Sequence, residues 1–227
     1  MRTGSNISVY GNGSVIIEGT KKKYLHSDGS STVGLGPLLS ECLSKPAICK
    51  HGFTLALWAR IAGKSLPPCC ILGTLQPYNR GFGVFLSSFG FGKFLITPFI
   101  KSAPFVWNGS IKIESSTWNH IVVSWKPNTT FDAYLNGRRK FSVKARTIIE
   151  GGQPECNLTY RNPPKNKDTN LFLYLGGKVD FDDIMIWFHN ITEPEAEKVF
   201  YSKLGKYFSR SFILSPSQNG ESTMLLG

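Results

Sequence analysis

From Trp118 to Val143 the chain reads WNHIVVSWKPNTTFDAYLNGRRKFSV, and its apolar positions fall into a repeating pattern. Ile121, Val123 and Trp125 interleave with His120, Val122 and Ser124, the two-residue period of a strand with one buried face. Pro127-Asn128 breaks that run, after which Phe131, Ala133 and Leu135 alternate with Asp132, Tyr134 and Asn136. Asn136-Gly137 then supplies the strongest short hairpin signal, because a type I′ turn needs positive φ at both central residues. A third run, Arg139 to Val143, leads away from the turn. The pattern predicts a three-stranded antiparallel meander.

The same period recurs along the chain. Val15 to Glu18 and Lys22 to Leu25 predict a short first pairing, and Leu35 to Leu39 a further strand. In FTLALWARI, Phe53, Leu55, Leu57 and Ala59 share one face, with Thr54, Trp58 and Arg60 on the other. Gly81 to Leu86 and Lys93 to Thr97 predict a hairpin around a Ser87–Gly92 turn. Trp107-Asn108-Gly109 is assigned to a turn, and Ala145 to Asp168, with Pro154, Pro163 and Pro164, to a loop. Leu171 to Leu175 and Val179 to Phe188 are the last predicted strands. The second is apolar on both faces after Asp183, which places it in the middle of a sheet. A helix follows: Thr192-Glu193-Pro194-Glu195 is a capping box with Pro in the first turn, Ala196, Val199 and Phe200 form an apolar stripe, and Gly205 is positioned to end it. The six phenylalanines between residues 81 and 100 (Phe82, Phe85, Phe89, Phe91, Phe94 and Phe99) are assigned to the core, as are Trp58, Trp118, Trp125 and Trp187.

Composition changes the picture in two ways. With 26 Lys+Arg against 15 Asp+Glu, the formal charge of +11 favours acidic partners. Asn-x-Ser/Thr acceptors at Asn6, Asn12, Asn108, Asn128, Asn157 and Asn190, together with five cysteines, suit an extracellular glycoprotein. Cys42 and Cys49 are spaced to close a short loop, and at most one of the adjoining Cys69 and Cys70, taken as Cys70, bridges to Cys156. The polar opening Met1-Arg2-Thr3-Gly4-Ser5 has no apolar leader core, so the chain reads as a piece of a longer secreted or membrane-anchored protein. Any membrane contact is expected through other parts of that parent.

GFTLALWARI after a Cys-x6-Cys loop, WNHIVVSWKPNTTFDAYLNGRRK, LYLGG and VDFDDIMIWFHNITEPEAEKVFYSKLG follow one another in this order. The series resembles the laminin-G-like and pentraxin-like modules of the concanavalin A-like jelly-roll superfamily. The likeness spans residues 14–205, leaving 1–13 as a loose N-terminal segment and 206–227 as a tail or linker. It implies an all-β sandwich of two packed antiparallel sheets of about six or seven strands each, with one short C-terminal helix.

Three constellations carry candidate chemistry. Asp180, Asp182 and Asp183 invite a glycosidase reading, since such enzymes set two carboxyl groups facing one cleft. The E-x-D-x-x-E pattern of laminarinase-like relatives is not met, because Met185 stands three places after Asp182; the resemblance implies a structural role. No Ser-His-Asp order, HExxH or phosphate-cradling Gly loop occurs, and His26, His51, His120 and His189 are scattered, so an enzyme is not expected. Calcium would need oxygen ligands from several loops, with Asp132, Glu150 and Asp168 as weak candidates. Glu150-Gly151-Gly152-Gln153-Pro154-Glu155 departs from the dense acidic loop of pentraxins. No other cofactor is expected. The third constellation is basic: Arg138, Arg139 and Lys140 at the hairpin, Lys144 and Arg146 behind it, and Arg161, Lys165 and Lys167 in the next loop. The resemblance implies recognition of glycan, sulfated glycosaminoglycan included, by such edge residues, for which the planar Arg fork is well suited. The alternative is a structural protein–protein adhesion module without sugar ligand. Nucleic acid is not expected, for no recognised binding motif occurs.

Overall fold

The structure is a computed structural model. It describes residues 7–10, 14–18, 22–29, 32–35, 41–43, 45–64, 68–74, 80–102, 104–147, 173–175, 177–208 and 224–225.

Among the described residues there are seventeen strands: β1 Ile7–Tyr10, β2 Ser14–Glu18, β3 Lys22–Asp28, β4 Thr32–Leu35, β5 Phe53–Ile61, β6 Cys69–Thr74, β7 Arg80–Gly90, β8 Lys93–Ser102, β9 Phe105–Asn108, β10 Ile111–Glu114, β11 Asn119–Trp125, β12 Thr130–Leu135, β13 Arg138–Lys144, β14 Arg146–Thr147, β15 Leu173–Leu175, β16 Lys178–Trp187 and β17 Met224–Leu225. Helix α1 is Glu193–Phe208, and two 3-10 turns, Glu41–Leu43 and Pro46–Ile48, lie in the Cys42–Cys49 disulfide loop. All pairings are antiparallel, in two sheets. The first runs β1-β4-β15-β6-β7-β8-β9-β14, with β10 also paired to β8; the second runs β13-β12-β11-β5-β16-β3-β2, with β17 against β16. The architecture is the two-sheet sandwich that the resemblance implied, with nine and eight strands among the described residues rather than about six or seven in each.

The predicted meander is β11–β12–β13, with Trp125 opposite Phe131 and Ile121 opposite Leu135. Positive φ at Asn136 (52°) and Gly137 (79°) makes its turn, as the Asn-Gly pair required. β5 is the centre of the second sheet and sends Phe53, Leu55, Leu57, Ala59 and Ile61 inward. They meet Phe82, Val84 and Leu86 of β7 and Phe94, Ile96 and Ile100 of β8. A chain of rings ties the two layers together: Phe82 to Phe53 at 5.4 Å, Phe53 to Trp125 at 5.7 Å and Trp125 to Trp107 at 5.4 Å between centroids.

The outer face of the second sheet is closed by α1. Thr54 Oγ1 donates to His189 O (2.8 Å), while Ser124 Oγ accepts from Ile191 N–H (2.8 Å) and donates to Ile191 O (3.2 Å). These bonds pin the link between β16 and the helix onto the sheet. Ala56, Val122, Tyr134, Met185, Ile191 and Ala196 then form a second apolar cluster, with Trp187 and Val199 packed against it. This explains why β16 is apolar on both faces: it lies between β5 and β3 and is covered on each side. The capping box forms as the sequence predicts, for Thr192 N–H and the Thr192 hydroxyl both donate to Glu195 Oε2 at 2.7 Å. The backbone bond, then the hydroxyl bond, hold the Glu195 carboxyl below its ordinary value. A carboxylate with a depressed folded pKa stabilises fully above its unfolded pKa and loses that stabilisation as pH falls through the folded one. Glu195→Gln is therefore expected to flatten the fall in melting temperature on acidification below pH 4.5, read by thermal unfolding across pH.

Several elements depart from expectation. Ile7–Tyr10, inside the segment read as loose, is an edge strand paired with β4, and α1 continues past Gly205 to Phe208. Trp107 is buried in β9 rather than placed in a turn. The turn-like Gly109 is needed because a Cβ there would lie 2.8 Å from the Phe141 ring. Phe89 (45% exposed) and Phe91 (77% exposed) are not core, because Phe89 lies at the register shift between Ser88 and Gly90 and Phe91 in the turn between β7 and β8. Trp118 is half-buried just before β11, whereas Trp58 is buried as expected, beneath α1. No helix among the described residues is long and apolar enough to cross a membrane.

Candidate functional site

The basic residues of the meander lie where the sandwich has its open seam. β13 is the edge of the second sheet and β14, one residue later, an edge of the first. Arg138, Arg139, Lys140 and Lys144 are exposed along β13, and Arg146 opens β14 opposite Val106. A register shift between Ala133 and Tyr134 makes Lys140 a bulge residue, so Phe141 and Val143 turn inward against the core while the polar positions face out. Phe141 packs 5.8 Å from Phe131 and fixes this edge.

The cluster is not uniform. The turn is packed, not free: Gly137 is buried, and a Cβ on it would lie 3.1 Å from Phe200 of α1. Asn136 Oδ1 accepts from His120 N–H at 2.9 Å, and Asn136 N–H donates to His120 O at 2.8 Å. Arg139 is engaged with the helix start, its guanidinium 3.3 Å from Glu193 Oε2 and its backbone N–H donating to Glu193 Oε1 at 3.2 Å. Arg139 thus shares its charge with α1, leaving Arg138, Lys140 and Lys144 as the outward cations of β13. Nearby, burial followed by the Asp132 charge pushes the Tyr134 hydroxyl up to about 12, so it stays neutral. Arg161, Lys165 and Lys167 lie outside the described residues.

The acidic constellation is engaged in structure. Asp180 is 3% exposed; its Oδ2 accepts from Arg60 Nε at 2.8 Å and its Oδ1 from His26 Nδ1 at 2.6 Å. Asp182 Oδ1 accepts from Asp183 N–H at 2.8 Å, at a bulge where Asp183 has φ 44°. Asp180 therefore clamps β3 and β5 to β16 rather than opening onto a cleft. Asp132 Oδ2 accepts from the Thr130 hydroxyl at 2.7 Å, and Glu150 and Asp168 lie outside the described residues. Among the described residues no group of three or more His, Cys, Asp and Glu is arranged to hold a metal ion. Cys42 is bonded to Cys49, and Cys70 is disulfide-bonded; Cys156 lies outside the described residues. Cys69 is a free thiol whose pKa burial raises. Of the acceptor asparagines, Asn128 and Asn190 are exposed and Asn108 half-buried, whereas Asn6, Asn12 and Asn157 are outside the described residues.

Two surface groups are not marked by spacing along the chain. Arg60 lies 5.1 Å from the Tyr24 ring centroid and 4.9 Å from that of Trp118, with the two rings edge-on at 5.7 Å. At the β7–β8 tip, Lys64 Nζ stands 5.3 Å over the Phe91 ring and Lys112 Nζ 5.8 Å over Phe89. Only the folded chain brings these residues together, although two Phe flanking Gly90 in a turn are a visible anomaly.

The sandwich, its seam and its helix-capped face can be set beside known proteins. The family profile Laminin_G_3, of the concanavalin A-like lectin/glucanases superfamily, matches residues 40–196. The chain belongs to this family. The laminin-G-type chain is also 24% identical over 230 residues to the adhesion G-protein coupled receptor D1 of Bos taurus, covering 95% of this chain and 24% of the receptor. It thus spans about a quarter of that relative's length. Among solved structures, the receptor binding domain of the botulinum neurotoxin C/D mosaic serotype aligns with a TM-score of 0.59 at 12% identity, over 88% of this chain and 47% of that one. The binding domain of botulinum neurotoxin DC in complex with SialylT aligns with a TM-score of 0.56 at 16% identity, over 87% and 46% respectively. At these identities the likeness is one of fold.

Proposed function

We propose that this laminin-G-type chain is a non-catalytic, extracellular recognition and adhesion module that takes an acidic glycan along the β13 edge. The observation that carries the reading is the set of exposed cations Arg138, Lys140 and Lys144 on one edge strand beside the seam, in a chain of net charge +11. Arg offers a planar pair of donors to a sulfate or carboxylate and Lys a mobile point charge, so an edge bearing both suits a flexible polyanion. The bulge at Lys140 supports it further, since it turns that edge from strand pairing and leaves side chains for recognition. Support for glycan as the ligand class comes from the superfamily and from the SialylT complex of a structural neighbour. Support for an adhesion ectodomain comes from the receptor relative and from the acceptor asparagines Asn108, Asn128 and Asn190. Asp180 and Asp182 enter no reaction in this reading, because their oxygens already hold Arg60, His26 and the backbone.

Elution of the glycosylated protein from heparin resin, against a plain cation exchanger, tests the proposal. The wild type is expected to need clearly more salt on heparin, and Arg138→Ala/Lys140→Ala/Lys144→Ala to lose that excess while unfolding at the same temperature. Equal elution from both resins would leave the charge as general surface and hand the β13 edge to protein–protein adhesion. Chelator is expected to leave elution unchanged; a shift would bring a cation at Asp132, Glu150 or Asp168 into the site.

A further inference from the structure

The β7–β8 hairpin ends in Ser88-Phe89-Gly90-Phe91-Gly92-Lys93, and both phenylalanines face solvent. Exposed rings at a turn cost solubility unless they meet a partner, and a pair of them marks an interaction surface more than a lone one does. The tip is held rigidly rather than left to collapse. Gly92 N–H donates to Lys64 O at 2.7 Å and Gly92 O accepts from Ser115 N–H at 2.9 Å, so two flanking segments clamp its backbone. A φ of 69° at Gly92 permits this turn.

The net charge around the tip is positive. Lys64, Lys93 and Lys112 are exposed there, and Glu114 is directly opposite Lys93 in the β8–β10 register. With Lys93 and Glu114 offsetting each other, Lys64 and Lys112 remain, each with its ammonium over one of the two exposed rings. The tip therefore pairs apolar rings with cations that can ride above them on flexible stems.

We propose that this tip docks on the anionic surface of a lipid bilayer. Phe89 and Phe91 enter the boundary between headgroups and acyl chains, and Lys64 and Lys112 meet the headgroup charge. A bilayer fits these residues better than a sugar does. The rings project instead of lining a cavity, and the Ser88 hydroxyl already donates to Gly90 O at 3.2 Å. Sugar sites combine a ring with polar groups aimed at the ligand, whereas this tip presents rings and charge alone. The proposal departs from the expectation that membrane contact needs another part of the parent chain. It does not use β13, so its failure would leave the acidic-glycan reading untouched.

Vesicle flotation of the whole chain tests it, with phosphatidylcholine vesicles carrying or lacking phosphatidylserine. The wild type is expected to float with the anionic vesicles and far less with the neutral ones. Phe91→Ala is expected to lower the partition coefficient about tenfold, from the lost burial of one aromatic side chain. Phe91→Trp keeps binding, and brominated lipid quenches its added fluorescence. Wild type that stays unbound, or Phe89→Ala/Phe91→Ala that floats as well as wild type, overturns the proposal. So does an added Trp untouched by brominated lipid, or a Phe91→Ala variant that loses heparin retention but keeps flotation.

Discussion

Gly52→Ala is expected to destabilise the domain by about 3–5 kcal/mol, a loss drawn from backbone strain and steric conflict together. Gly52 has φ 77°, and a Cβ on it would stand 1.9 Å from Trp125 O and 2.8 Å from both Trp125 C and Lys126 Cα. All three are backbone atoms at the end of β11, where Trp125 pairs with Phe53, so no side chain can rotate away. The disulfide loop, the start of β5 and the end of β11 would have to separate. Gly29→Ala is the internal control. Its φ of 82° carries a similar left-handed strain, yet its Cβ would meet first the flexible Lys178 side chain at 3.1 Å. That control is expected to cost only about 1–2 kcal/mol. For a domain of this size the Gly52 variant should melt about 10 °C lower than wild type, read by thermal unfolding. Equal shifts for the two variants would show that the close approach at Gly52 is absent in solution.

The contrast between legible and hidden features has a physical cause. The meander could be read from residues 118–143 because a two-residue period and an Asn-Gly turn are local properties. β16 could be placed mid-sheet because covering both faces leaves apolar residues in succession, as Ile184, Met185 and Ile186 show. The capping box at Thr192 and Glu195 was equally local. Trp107 could not be read, since Gly109 looks like a turn residue and the reason for it, the Phe141 ring, belongs to another sheet. Nor could the division of labour among the basic residues. Arg139 is bound by Glu193, 54 positions away, and nothing in the run Arg138-Arg139-Lys140 distinguishes it from its neighbours. Phe89 and Phe91 fall on odd positions, out of phase with the inward Phe82, Val84, Leu86, Phe94 and Ile96, and Phe89 lies at the register shift between Ser88 and Gly90, an irregularity that strand pairing makes and the run of Phe residues does not mark.

Asp180→Ala is expected to cost about 2–3 kcal/mol, because it removes a buried carboxylate that accepts from both Arg60 and His26. The Arg60 side chain is 23% exposed and that of Asp180 4%, so water replaces the lost partner only in part. His26, whose side chain is 28% exposed, loses its bond as well and is expected to suffer less. The effect should be coupled. In Asp180→Ala/Arg60→Leu the cation that faced the lost carboxylate is gone as well, and the apolar replacement keeps contact with Tyr24 and Trp118, so the double variant should be more stable than the sum of the single losses implies. Urea unfolding of the four proteins in the cycle measures that coupling. Additive losses would mean that Asp180 holds the strands by some other route. Strong coupling with intact heparin retention would tie the acid on β16 to the joining of β3 and β5. The Asp180 oxygens are taken up by Arg60 and His26, which is the physical reason to look for binding first at the exposed edges of this domain.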